Sequence, residues 1–126
     1  MPRFVFASFM GLALTFSAPA LAHIALTKSA PAANATVAKP VRIALTFNEK
    51  PIVSQFKSEL VMVSMPGMTD HPPMKISGHS SQMSADGKTV TLLLKQVLPV
   101  GGYVLKWRAT GADGHQVTGE IPFSAR

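Results

Sequence analysis

Val41-Arg-Ile-Ala-Leu-Thr-Phe47 is the stretch that decides the fold. Its odd positions Val41, Ile43, Leu45 and Phe47 are apolar, and the residues between them are polar or small. Side chains of an extended chain alternate between two faces, so this pattern is a strand with one face in a core. The same period recurs further along. Val90, Leu92 and Leu94 alternate with Thr89 and Thr91, and Tyr103, Leu105 and Trp107 alternate with Lys106 and Arg108. His115, Val117, Ile121 and Phe123 alternate with Gln116, Thr118, Glu120 and Ser124, and residues 60–63 are a further strand candidate. Between these runs stand chain breakers: Asn48 to Pro51, Pro66-Gly67, Pro72-Pro73, Asp86-Gly87, Pro99 to Gly102 and Gly111 to Gly114. No segment of helical length carries a 3.6-residue period. The pattern predicts one all-β domain, a Greek-key β-sandwich or barrel of about seven strands. Gln55 to Gln82 reads as its one irregular region.

The first 22 residues differ from this domain. Arg3 is their only charge, an apolar run follows from Phe4 to Phe16, and Ala20-Leu-Ala22 closes the segment. A basic start, a short apolar stretch and an A-x-A end describe a secretory signal peptide. Cleavage is expected after Ala22, leaving residues 23–126 as the mature domain. The apolar run is short of the roughly 20 residues a membrane-spanning helix needs. Export also bears on charge. Twelve Lys and Arg against six Asp and Glu give +6, but an exported chain with its lysines dispersed and no aromatic-basic interleaving is not read as binding nucleic acid. The chain has no cysteine, which excludes disulfides, zinc fingers, a thiol nucleophile and a blue-copper centre.

Against that absence stand seven methionines, five of them between Met62 and Met83. Met62, Met65, Met68, His71 and Met74 recur every three residues. A methionine stripe near helical spacing is usually core packing. Here Pro66, Gly67, Pro72 and Pro73 exclude a helix, and steps of three do not keep to one face of a strand. The segment is expected to lie mostly on a loop, where packing gains little from methionine. Thioethers are soft, neutral donors that suit Cu(I), and they do not cross-link in an oxidising compartment. The five residues form a candidate Cu(I) donor set, with Met62 having the strongest alternative as a core residue. His79 and Met83 lie nearby as spare donors or plain loop residues.

Cleavage after Ala22 would make His23 the first residue, offering an α-amine and a ring nitrogen to one metal. Cu(II) favours such nitrogen and oxygen donors in a tetragonal arrangement. Asp113-Gly-His115 supplies a second group, because residues i and i+2 of an extended chain point to the same side. Singly, Asp113 reads as a turn former and His115 as the first of an inward series. With His23 they would provide three nitrogens and one oxygen for Cu(II).

At this point the sequence resembles the CopC family of periplasmic copper-resistance proteins. The resemblance spans the mature chain through His23-Ile-Ala-Leu26, Ser29-Ala-Pro31, Leu45-Thr-Phe-Asn-Glu49, Leu60-Val-Met-Val-Ser-Met-Pro-Gly-Met68, Trp107-Arg108 and Asp113-Gly-His115-x-x-x-Gly119. It departs at Ile24 and Gln116, where the family often has Pro, and in a stretch before His71 that is one residue longer. The resemblance implies a cupredoxin-like fold and gives His23, Asp113 and His115 the Cu(II) role. It matches the methionine segment to Cu(I) and puts Glu49 beside the Cu(II) ligands.

The expected function is a periplasmic carrier or buffer of copper, binding Cu(II) and Cu(I) at separate sites, as a monomer and not as an enzyme. An inner-membrane protein of the CopD type is the partner that the resemblance implies. The competing reading is a histidine-brace mono-oxygenase. That chemistry needs open coordination positions and an aromatic platform, and one Tyr and one Trp make a poor one.

Overall fold

The computed structural model describes residues 23–68 and 72–126. The expected leader and His71 lie outside these residues. The described chain forms nine strands: β1 (Leu26–Ala30), β2 (Thr36–Val37), β3 (Arg42–Phe47), β4 (Lys57–Ser64), β5 (Met74–Ile76), β6 (Ser80–Met83), β7 (Thr89–Leu93), β8 (Gly101–Thr110) and β9 (Gln116–Ala125). They make two sheets, ordered β1-β3-β7-β6 and β2-β9-β8-β4-β5. All pairings are antiparallel except β2 with β9. This is the all-β sandwich that alternation predicts. Among the described residues, no helix is long and apolar enough to cross a membrane.

The core forms where alternating faces meet. Ile43, Leu45 and Phe47 of β3 are buried, and register sets Ile43 opposite Leu92 and Leu45 opposite Val90. In the other sheet Tyr103 faces Phe123 and Leu105 faces Ile121. A slip of one residue would turn every one of these side chains to water, so burial fixes the register. Phe47 meets Trp107 edge-on at 5.3 Å between ring centres, joining the two sheets. Gly119 lies opposite Trp107, and a Cβ there would come within 2.5 Å of the indole. The indole therefore takes the space of the missing side chain.

The strand count corrects the expectation of about seven, and part of the difference lies in Gln55 to Gln82. That region is not irregular: besides β4, whose centre alternation marks, it holds β5 and most of β6. β5 and β6 are edge strands of three and four residues, and both are largely exposed. An edge strand needs hydrogen bonds on one side only and can be polar throughout, so Ser80-Ser-Gln-Met83 shows no alternation. β1, with only Leu26 as a large apolar residue, escapes pattern reading for the same reason.

The methionine segment is thus a hairpin. Met62 on β4 pairs with Met74 on β5, and Met65 and Met68 close the near end through paired backbone hydrogen bonds of 3.3 and 3.0 Å. Gly67 takes a φ of 77° in that turn, a conformation open to glycine without strain.

Candidate metal centre

Thr110 ends β8 and Gln116 begins β9, and the turn between them carries Asp113 and His115. The Gly111 N–H donates to the His115 carbonyl at 3.1 Å, and the Gly114 N–H to the Gly111 carbonyl at 2.9 Å. Gly114, with φ 82°, supplies the left-handed residue this tight turn needs. Asp113 is then held by its own loop, since its Oδ1 accepts the His115 backbone N–H at 3.0 Å. An Asp side chain bonding two residues on is a common turn device. Here it also aims the other carboxylate oxygen.

That oxygen, Oδ2, lies 2.9 Å from His115 Nδ1 and 3.1 Å from His23 Nδ1. The two imidazoles meet edge to face with centres 4.7 Å apart. One ligand atom from each of His23, Asp113 and His115 lies within 4.8 Å of the others, the one such His/Asp/Glu group among the described residues. The Asp113 carboxyl is lowered from 3.8 to about 2, first by the His115 backbone N–H, then by the His115 ring and more weakly by the His23 ring. It is therefore ionised at neutral pH and can only accept, so both imidazoles donate their Nδ1–H to it. A metal cation entering the group would meet a fixed anion and two nitrogens that exchange a proton for it. The histidine side chains are 56% and 64% exposed, so an ion reaches them from solvent.

His23 comes from the other end of the chain, and two residues hold it there. Ile24 is 1% exposed and anchors its segment in the core. Asn48, just after β3, accepts the Ala25 N–H on Oδ1 at 2.8 Å and donates from Nδ2 to the His23 carbonyl at 3.2 Å. Its backbone N–H also donates to the Ala25 carbonyl at 3.0 Å. By sequence pattern alone Asn48 is only the start of a breaker run. Glu49, the next residue, reaches the same corner: a Cβ at Gly111 would lie 2.5 Å from Glu49 Oε1 and 3.2 Å from Asp113 Oδ1. Only a glycine at 111 lets these two carboxylates and Ile24 come together.

The methionines occupy the opposite end. β4 reaches Ser64 opposite Gly102, whereas the Asp-Gly-His turn follows Thr110. The run from Gly102 to Thr110 is roughly 26 Å of extended strand. Met68 and Met74 are about half exposed, at 54% and 52%, and Met65 is partly buried against the core. Met62, expected in the same donor set, is 3% exposed within the main core, where its thioether is a packing group. Met83 is partly buried against that core. His79 bonds Ser58 Oγ through Nε2 at 3.1 Å, while its buried Nδ1 has no partner.

Comparison with known proteins agrees with this architecture. Residues 26–126 match the CopC domain family. A copper resistance protein C of Xanthomonas campestris pv. juglandis is 44% identical over 110 residues, spanning 87% of this chain and 85% of that one. A copper resistance protein C of Escherichia coli is 34% identical over 116 residues, spanning 92% and 91%. The crystal structure of PcoC, a methionine-rich copper resistance protein from Escherichia coli, superposes with a TM-score of 0.74 at 33% identity, covering 83% of this chain and all of the other.

Proposed function

The chain belongs to the CopC family, and from that premise we propose that it is a periplasmic copper-binding protein that carries or buffers copper in resistance or homeostasis. The observation that carries this reading is the convergence of His23, Asp113 and His115, from opposite ends of the chain, on one carboxylate oxygen. In the precursor His23 follows Ala22 through a peptide bond. Cleavage after Ala22 frees its α-amine as a fourth donor. Amine, two imidazoles and a carboxylate form a set that suits Cu(II). Asp113 contributes charge and orientation, and neighbouring Glu49 adds negative potential.

At the other end, Met65, Met68 and Met74 offer soft donors suited to Cu(I), and His71 of the same sequence segment is proposed as a further donor. Met62 supports this hairpin from the core. The roughly 26 Å between the two ends is too far for one ion to be shared. Copper therefore passes from either site to another molecule, the inner-membrane CopD-type protein being the proposed recipient or donor. Both sites operate in a monomer. A mono-oxygenase reading is disfavoured. Asp113 stands between the imidazoles, where oxygen would need an open position, and Trp107 and Tyr103 are 7% and 1% exposed and offer no platform.

The deciding experiment is Cu(II) titration of exported protein whose mature terminus has been established by mass spectrometry. A chain starting at His23 should give a tetragonal EPR signal with coupled nitrogens. A start elsewhere, or a signal unchanged by a residue added before His23, would refute the terminal site.

A further inference from the structure

A free N-terminal histidine can hold a metal in two ways. The amine and the ring Nδ1 close a six-membered chelate, while the amine and the residue's own carbonyl oxygen close a five-membered one. In a flexible terminus both compete. In this chain the His23 carbonyl is already engaged, because Asn48 Nδ2 donates to it at 3.2 Å. The same amide accepts the Ala25 N–H at 2.8 Å, and the Asn48 backbone N–H takes the Ala25 carbonyl at 3.0 Å. Residues 23–25 are thus bound at three points by one residue, with Ile24 buried between the two side-chain bonds.

We infer that Asn48 is the positioning residue of the Cu(II) site, selecting the amine–imidazole chelate by committing the His23 carbonyl and fixing the His23 ring against Asp113. This rests on the Cu(II) reading above. Asn48 bonds the backbone of His23 and Ala25, not a ligand side chain, and acts through that backbone. Partners of this kind, one step removed from the metal, typically change affinity by about 10- to 100-fold.

The test compares the processed protein with its Asn48→Ala and Asn48→Asp variants. Competitive Cu(II) titration should show about tenfold weaker binding for Asn48→Ala. EPR should gain a component with higher g∥ and fewer coupled nitrogens, as carbonyl oxygen replaces ring nitrogen. A general loss of stability would not produce that signature. Asn48→Asp keeps the acceptor for Ala25 but cannot donate to the His23 carbonyl. Electrostatics alone would make this anionic variant bind Cu(II) more tightly, whereas the inference requires weaker binding and the same second EPR component. In the metal-free protein, the Ala25 amide should exchange slowly and lose that protection in Asn48→Ala. Finally, with a glycine added before His23, Asn48→Ala should have no further effect on affinity.

Wild-type binding that is insensitive to the added glycine would refute the terminal site itself. Wild-type binding that needs the free terminus, but is unchanged in affinity and spectrum by Asn48→Ala, would overturn only the role of Asn48. Should Asn48→Ala fail to fold, the Asp variant decides, and tighter binding by it overturns the inference.

Discussion

The two ends of β8 present their candidate metal donors in opposite ways. At the Thr110 end, each side chain of the proposed Cu(II) site is held in place by hydrogen bonds. Asp113 is tied to its own turn, both imidazoles are tied to Asp113, and His23 is tied through its backbone to Asn48. At the Gly102 end, Met68 and Met74 project about half exposed from a short hairpin, and a thioether has no strong hydrogen bond to hold it in place. The difference follows from the donors. Nitrogen and carboxylate ligands can be oriented by hydrogen bonds, so their geometry can be built in advance. Sulfur ligands can be positioned only by backbone and packing, which leaves an adaptable surface.

The largest expected effect separates the ends directly. His115→Ala should weaken Cu(II) binding by more than the about 100-fold upper range of an indirect partner, because it removes a proposed ligand. Cu(I) affinity should not change, and competition titrations with each ion would show both results. A parallel loss of Cu(I) affinity would mean that the two ends are coupled. Next, the double variant Met65→Leu/Met68→Leu should lower Cu(I) affinity by about tenfold or more while leaving Cu(II) binding intact. Being a near-isosteric change close to the surface, it should move stability by less than about 1.5 kcal/mol in urea unfolding.

A third variant tests the division within the methionines. Met62→Ala should cost about 2–5 kcal/mol in urea unfolding, as burial of a large core side chain implies. Met74→Ala, at the exposed edge opposite it, should cost well under half of that. Equal costs would show that the hairpin is not split into a packing residue and a presenting residue. The smallest effect is acidic. The folded pKa of Asp113, about 2, lies below its ordinary 3.8. Its ionisation therefore contributes stability that is complete above about 4 and is lost as pH falls through 3.8 towards 2. Asp113→Asn should flatten that part of an acid unfolding profile.

Much of this organisation is legible in the chain. Strands β3, β7, β8 and β9 follow from alternation because each has one face in the core, and that is the condition under which a two-residue period appears. Edge strands β5 and β6 lack that condition, so Ser80 to Met83 reads as loop. His23 and Asp113 are 90 residues apart, yet both could be proposed as donors, since donor chemistry belongs to the residue type. Their meeting belongs to the fold. Asn48 shows the opposite case. Nothing in its type or spacing separates a turn former from a clamp, because its role is defined by two backbone groups that pattern reading does not see. Met62 reads two ways in the sequence for a related reason, as thioethers serve both packing and metal binding.

The edge-on contact of Trp107 with Phe47 has a practical consequence. Trp107 is the chain's one tryptophan. It lies in the half of β8 nearer the Asp-Gly-His turn, and it is shielded from collisions with solutes. Its emission is therefore a built-in optical gauge. Paramagnetic Cu(II) at the histidine corner would quench it through space, while closed-shell Cu(I) on the distant hairpin would leave it bright. A single fluorescence trace, recorded as a reductant is added, would show when the ion changes oxidation state or departs.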